Sequence, residues 1–253
     1  MKILVPVQFV PDLVEELVID ERGDRLDPYS IRWKVNEFDD HAIEQAILLK
    51  EKFGGQVTIL APGFDGAEDV LFNAAAKGAD RIIRLEVNYE EGISTHAMAR
   101  LFLPFIQEIQ PDLVLTGVQA YNSLDGCLGS ILAAYLDWSY VGYVSCIKLS
   151  FQKLLLRKEY PGGLTAQLEV QLPLVVGVQA AETPPRYVPI ARVRQAMKTC
   201  PIEEKSGEFD SNGGIVLNRL YPPDTGTRAI LLGGTVDQVA DQLVAILREQ
   251  GAL

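Results

Sequence analysis

Lys2–Val7 is a short, almost uninterrupted apolar run, and Val57–Ala61, Arg81–Leu85 and Leu113–Thr116 read as further short strands in the first half of the chain. A run of this kind suits a strand buried on both faces, as in a parallel sheet covered by helices. Between the runs lie stretches with helical periodicity. The first begins after Asn36, a plausible N-cap, and carries Phe38, Ala42, Ile43, Ala46, Leu49 and Phe53 until Gly54 and Gly55 stop it. Asp65–Ala76, closed by Gly78, and Asp125–Tyr135 read as two more helices. Ile93–Ile109 reads as another, in which Pro104 predicts a kink or a break. Strand and helix in this rhythm imply right-handed crossovers, and so an α/β fold with a doubly wound, mostly parallel sheet.

Beyond Trp138 the rhythm changes. Tyr140–Leu149, Lys153–Glu159 and Leu164–Gln171 read as strands, the last two joined by a turn at Pro161-Gly162-Gly163. Leu174–Val178 reads as a strand returning to the main sheet, and Thr183–Pro189 as an extended segment. Residues 8–35, with a turn signal at Glu21-Arg22-Gly23-Asp24, read as an excursion off the sheet. Residues 199–228 are rich in Gly, Pro, Asp and Ser and precede a final helix, Val236–Glu249, with Thr235 as N-cap and Val239, Leu243, Ile246 and Leu247 on one face. An irregular arm of about 30 residues is rare inside a compact domain and points to wrapping around another chain. The expected division is therefore 1–198 as an α/β domain of nucleotide-binding type, and 199–253 as an extended arm and C-terminal helix for subunit contact.

The formal net charge of −11 argues against nucleic-acid or anionic-membrane binding, because the phosphate field repels such a surface. Cys127, Cys146 and Cys200 form no CxxC pair, so neither a disulfide framework nor a zinc site is indicated. No run of about 18 apolar residues occurs and the N-terminal apolar run is short, so the expectation is a cytoplasmic protein with no membrane insertion.

Three segments carry possible chemistry. Thr116-Gly117-Val118-Gln119-Ala120 ends a strand, and Gly126 and Gly129 follow at the start of a helix. Ligands of open α/β sheets sit beyond the carboxyl ends of the strands, where helix N–H groups and glycines can hold a phosphate. The same glycines equally serve plain strand–helix packing. Asn36 is a helix cap or a ligand contact, capping being the favoured reading, and Asp39 and Asp40 suit the helix dipole. His41 reads as a helix-surface residue. Pro184-Pro185-Arg186-Tyr187 suits an interface or a rigid linker. No Walker motif, GxGxxG or catalytic constellation of a hydrolase stands out.

Taken together and in order, these segments resemble the β subunit of electron-transfer flavoproteins. The first strand, Met1-Lys2-Ile3-Leu4-Val5-Pro6-Val7, looks like that family's. The helix Asn36-Glu37-Phe38-Asp39-Asp40-His41-Ala42-Ile43-Glu44-Gln45-Ala46 is similar to its Asn-Pro-(Phe/Tyr)-x-Glu-x-Ala helix. Gly78-Ala79-Asp80-Arg81 and the stretch from Pro111 to Ala120 match its Gly-Ala-Asp-Arg and its Pro-Asp-Leu-Val-x-x-Gly-x-Gln-Ala. Glu159 to Leu164, Leu172 to Val176, and Pro185-Arg186-Tyr187 are similar to its hairpin, its Leu-Pro-Ala-Val-Val strand and its Pro-Arg-Tyr.

The resemblance implies an adenine-nucleotide α-hydrolase-like fold with an added β-hairpin and a C-terminal arm. It implies an electron-carrier subunit and not an enzyme. Its partners would be an electron-transfer flavoprotein α subunit, which bears the FAD, and a redox dehydrogenase. The β subunit of the family holds AMP, and in bifurcating relatives a second FAD takes that place. Carried over, Asn36, Gln119, Ala120, Gly126 and Gly129 would line the cofactor site, and Glu159, Arg186 and Tyr187 would face the partner and its flavin. The chain departs from the pattern where the family's Asn-Gln-Thr becomes Gly126, Cys127 and Leu128. Basic residues are replaced by Gln8, Phe9 and Val118, and the Leu-Asn-Glu docking loop by Glu182-Thr183-Pro184. A non-redox adenine-nucleotide-binding regulatory module is the alternative, which a flavin spectrum of the co-expressed complex separates.

Overall fold

The computed structural model describes residues 1–27, 29–63, 67–87, 94–123, 126–150, 153–206, 210, 212–215, 217–223, 226 and 229–253. The expected helix starts at Asp65, Ile93 and Asp125 lie outside the described residues. In chain order the elements begin with β1 (Lys2–Pro6), β2 (Phe9–Pro11), β3 (Trp33–Val35), α1 (Glu37–Phe53), β4 (Gln56–Pro62) and α2 (Ala67–Lys77). There follow β5 (Arg81–Glu86), α3 (Thr95–Ile109), β6 (Leu113–Gly117), α4 (Leu128–Leu136), β7 (Ser139–Ser150), β8 (Lys153–Glu159) and β9 (Thr165–Gln171). The chain closes with β10 (Leu174–Val178), α5 (Ile190–Thr199), β11 (Ile202–Ser206) and α6 (Val236–Glu249).

Among the described residues the main sheet has nine strands in the order β11-β5-β4-β1-β6-β10-β7-β8-β9. The pairs from β11 to β7 are parallel, and β7, β8 and β9 are antiparallel. The fold is thus the doubly wound, mostly parallel α/β sheet expected from the apolar runs. α1 lays Ala42, Ile43, Ala46 and Ile47 on one face, over Ile3, Val5 and Ile59. α3 and α4 cover the other face with Met98, Phe102, Ile106, Leu128 and Leu132, over Leu4, Val114 and Val175. Each fully buried aliphatic side chain contributes about 2 kcal/mol. β2 and β3 form a separate two-stranded ribbon, and the excursion between them turns back at an Ile19–Leu26 bridge.

Four local features differ from the sequence reading. α3 continues through Pro104 without a break. Pro104 is exposed, and a proline inside a helix removes one intrahelical hydrogen bond without having to end it. The fourth helix starts at Leu128 and not near Asp125, because Gly126 has φ +54°, outside the helical region. Ile190–Thr199 is a helix that the sequence reading did not assign; Ala196 is its one buried residue, set near Val188 and Ala76. Ile202–Ser206, assigned to the arm, is a sheet strand parallel to β5. Its Ile-Glu-Glu-Lys-Ser sequence lacks an apolar pattern because it lies at the sheet edge. There Arg81 grips Glu203 with two hydrogen bonds at 2.9 and 2.7 Å, and Arg84 pairs with Glu204.

The sheet therefore extends past residue 198, and the compact units are Met1–Leu220 and Tyr221–Leu253. Parts of the expected arm bond within the first unit. Ser94 donates its hydroxyl to the Gly213 carbonyl at 2.8 Å, Arg100 donates to the Asp210 carbonyl at 2.9 Å, and the Leu220 amide donates to Gly23 at 2.8 Å. In the second unit α6 starts with a reciprocal capping box. The Thr235 amide donates to Gln238 Oε1 at 2.9 Å, and the Gln238 amide to Thr235 Oγ1 at 3.4 Å. No residue of α6 is buried. Among the described residues no helix is long and apolar enough to cross a membrane.

Candidate functional site

From β1 the chain winds outward through β4 and β5, then returns to place β6 on the other flank of β1. The crevice beyond the carboxyl ends of β1 and β6 is therefore the point where the winding reverses, the usual ligand position of such sheets. The first turn of α1 is anchored there. Asp39 is fully buried; Oδ2 accepts the Gln8 amide at 2.8 Å and Oδ1 accepts the Gly117 amide at 2.7 Å. Burial pushes its carboxyl up to about 7, although both amides and the Asn36 side chain favour the ionised form. The approach of α1 to β6 requires glycine at 117, where a Cβ would stand 2.6 Å from Phe38 Cβ and 2.7 Å from Asp39 Oδ1.

Asn36 occupies the N-cap position of α1 but makes no side-chain cap hydrogen bond, so capping is not the role of its side chain. Its buried Nδ2 instead donates to the Gln119 carbonyl at 2.8 Å. The turn after β6 gains further ties to the chain after β1. Gln8 Nε2 reaches Ser123 Oγ at 3.4 Å, Asn122 donates to the Phe9 carbonyl at 3.1 Å, and the Tyr121 hydroxyl donates to the Pro11 carbonyl. Gln119 is exposed at this end of the sheet, while Ala120 is buried.

α4 opens beside the same turn. Cys127 at its N-cap makes no side-chain cap bond. Gly129, in the first turn, leaves no room for a side chain: a Cβ would lie 2.6 Å from Thr116 Oγ1 and 2.8 Å from Tyr140 Cε2. The Thr116 hydroxyl is buried and, among the described residues, has no hydrogen-bond partner. Gly126 faces Gln119, whose Cβ would be 3.3 Å from a Cβ added there. Asn36, Gln119, Ala120, Gly126 and Gly129 thus gather at one end of the sheet. Gln8, Phe9, Val118 and Gln119 bring no positive charge to it, so an anion held here would depend on N–H and O–H dipoles. A cleft of about 540 Å³ lined by Gln110, Asp112, Tyr135 and Trp138 opens at the opposite, amino-terminal end of the strands.

Glu159, Arg186 and Tyr187 are placed differently. Glu159 ends β8 opposite Thr165, next to the hairpin turn. Arg186 is folded onto α1. Its Nε meets Glu44 at 2.9 Å, its guanidinium meets Glu51 at 2.6 Å, and its own amide donates to Glu44 Oε2 at 3.0 Å. The Glu44 side chain is only 2% exposed. Glu51 and Glu44 raise Arg186 above its ordinary value, and Arg186 lowers Glu51. The neighbouring Tyr187 is 84% exposed. His41, read as a surface residue without partners, accepts the Ala181 amide on Nδ1 at 3.2 Å, while Gln45 accepts the Glu182 amide at 3.1 Å. One face of α1 therefore straps down the segment after β10.

Sequence reasoning read Asp39 only as a dipole partner, placed Thr116 in the candidate segment without assigning its side chain a role, and gave Tyr140 no site role. For Asp39 a signal existed: it lies on the helical face of Ala42, Ile43 and Ala46, which the structure buries.

The sequence profile of the electron transfer flavoprotein domain matches residues 26–208. Similarity to individual proteins extends over nearly the whole chain. The electron transfer flavoprotein subunit beta of Methylophilus methylotrophus is 31% identical, over 98% of this chain and 98% of that protein. The subunit of the same name from Sus scrofa is 29% identical, over 100% of this chain and 99% of its own length. The caffeyl-CoA reductase–Etf complex subunit CarD of Acetobacterium woodii is 29% identical, over 99% of each. With that coverage, the chain belongs to the electron transfer flavoprotein family, among its β subunits.

Proposed function

We propose that this subunit pairs with a FAD-bearing α-type subunit and that the pair carries electrons in the cytoplasm between a dehydrogenase and an acceptor. A flavin, when bound, supplies the redox chemistry; this chain supplies binding, orientation and the protein surface around it. The relatives' names support assembly, since each is called a subunit and one belongs to a caffeyl-CoA reductase–Etf complex.

Within that role the chain holds an adenine nucleotide, AMP or a second FAD, beyond the carboxyl ends of β1 and β6. The observation that carries this reading is the braced turn at the winding reversal: Asn36 fixes the Gln119 carbonyl, Asp39 fixes the Gln8 and Gly117 amides, and the start of α4, whose N-cap residue Cys127 makes no side-chain cap bond, lies alongside. Asn36, Gln119 and Ala120 shape the wall of the site, while Gly126 and Gly129 let the phosphate approach α4. Arg186 braces its segment against α1 and presents Tyr187 outward to the partner, with Glu159 near the partner-facing hairpin.

The reading is tested by purifying the chain alone and together with its α-type partner. Flavin absorbance in the complex, none in the single chain as isolated, and a rise in melting temperature of the single chain with added AMP or FAD are expected. A complex without flavin overturns the electron-carrier role. A melting temperature indifferent to both nucleotides overturns the site.

A further inference from the structure

Inside β7 the backbone takes a conformation that its sequence does not favour. Among the described residues, those other than glycine with a left-handed φ are Gln110 and Asp137, at the ends of α3 and α4, and Tyr143, at φ +60°. That conformation commonly closes a helix, but within a strand it is costly for a residue with a Cβ. The register shows its origin. Val141 pairs with Val176 and Val144 with Val178, so β7 sets Gly142 and Tyr143 against the single residue Gly177. Tyr143 is the extra residue of a β-bulge, a device that re-aims a side chain and is common beside active sites.

The space next to the bulge is taken by Tyr140. Its ring edge lies 2.8 Å from where a Gly129 Cβ would stand, and its hydroxyl oxygen 2.5 and 2.7 Å from those of Gly177 and Gly142. Tyr143 is instead 50% exposed, and among the described residues its hydroxyl has no hydrogen-bond partner. No hydrogen bond of its side chain thus offsets the strain of its backbone. Its surroundings are those of the candidate site. Val178 pairs with Gly117, and its carbonyl accepts the Val118 amide at 3.2 Å. Tyr143 therefore stands two strands from Gly117, about 10 Å across the sheet. Burial first, then Tyr143 and Cys127, push the Tyr140 phenol up to about 12, so Tyr143 and the N-cap residue of α4 both lie within electrostatic reach of that phenol.

Resting on the nucleotide reading above, we propose that Tyr143 is a stacking wall of that site, its exposed ring lying against a planar ring of the bound nucleotide, adenine or isoalloxazine. A flat aromatic face suits either ring, because stacking depends on the π surface and not on a hydrogen-bond pattern. It also suits a site to which Gln8, Phe9, Val118 and Gln119 bring no positive charge. The bulge holds the ring at the rim of the strand ends, and the strain of its backbone persists because binding rewards the position.

The experiment compares the full-length chain with Tyr143→Phe, Tyr143→Ala and Tyr143→Gly, titrating AMP and FAD separately by calorimetry and recording the melting temperature without ligand. Tyr143→Phe is expected to keep the parent's affinity, while Tyr143→Ala and Tyr143→Gly weaken the nucleotide about tenfold. Tyr143→Gly is also expected to melt about 2–4 °C higher without ligand, since glycine accepts the left-handed φ freely. Weakening of both nucleotides identifies adenine as the stacked ring, and weakening of FAD alone identifies the isoalloxazine. Nucleotide binding to the parent, with equal affinity in the alanine and glycine variants, overturns the wall and leaves the nucleotide site standing. An affinity loss that appears only with a lower ligand-free melting temperature also overturns it, since unfolding and not the missing ring would then be responsible. No binding of either nucleotide to the parent overturns the site and the wall together.

Discussion

Asp39 Oδ1 accepts the backbone N–H of Gly117 at 2.7 Å, joining the first turn of α1 to the end of β6 across 78 positions of the chain. The other oxygen holds the Gln8 amide at the end of β1. One buried carboxyl therefore sets the spacing of the two strand ends between which the candidate site opens. Its titration should be visible in the stability of the whole protein.

Because burial raises Asp39 from 3.8 to about 7, the fold favours its protonated form relative to the unfolded chain. This group's contribution to stability is then fully present below about pH 4 and is lost as pH rises through about 7. Asp39→Asn removes that dependence, so denaturation midpoints of the variant should change less than the parent's across this window. Asparagine also leaves one of the two amides without an acceptor, which lowers stability by about 1–3 kcal/mol. Parallel pH profiles of parent and variant would show that Asp39 does not titrate there.

Asn36→Ala should cost about 1–2 kcal/mol in urea denaturation, through the lost bond to the Gln119 carbonyl. Asn36→Ser separates this from capping. Serine is a good N-cap but too short to reach Gln119, so it should be no more stable than alanine. Recovery by serine would return Asn36 to a capping role.

Gly129→Ala ordinarily strengthens a helix by about 0.5–1 kcal/mol. Here the added methyl meets Thr116 and Tyr140, and the sign should reverse to a loss of about 1–3 kcal/mol. Nucleotide affinity should fall with it. A more stable Gly129→Ala protein would mean that α4 can move away from β6 freely.

Arg186→Ala leaves Glu44 buried and unpaired, with an expected loss of about 3 kcal/mol. Glu44→Gln combined with Arg186→Ala should recover part of it, because no uncompensated charge stays buried. Tyr187→Ala, at an exposed position, should leave the melt unchanged and weaken co-purification with the α-type partner. A stability loss in the tyrosine variant, with partner binding intact, would count against the partner-facing assignment.

Truncation after Leu220 should leave the sheet intact by circular dichroism, since β11 stays paired with β5 and Asp210 and Gly213 stay bonded to α3 and its cap. The same truncation should abolish co-purification with the α-type partner, because α6 presents an amphipathic face with no buried residue. Full partner affinity in the truncated chain would make residues 221–253 dispensable for assembly.

The sequence by itself determined the layered sheet: Ile3 to Val5, Val57 to Ala61 and Leu113 to Leu115 are apolar on both faces, and only a sheet covered on both sides buries such runs. It also located the stretches around Asn36, Gln119 and Gly129 that meet at the strand ends, since crossover topology brings those ends together. Tertiary structure decided what the side chains do there. Asn36 looked like a cap because local sequence records only its neighbours, whereas its partner, Gln119, is 83 positions away. β11 escaped notice because an edge strand held by Arg81 and Arg84 needs no apolar pattern of its own. The orphaned Thr116 and the glycine cradle of Tyr140 were equally invisible, for a clash or a missing hydrogen bond between β6, α4, β7 and β10 exists only once packing has set their distances.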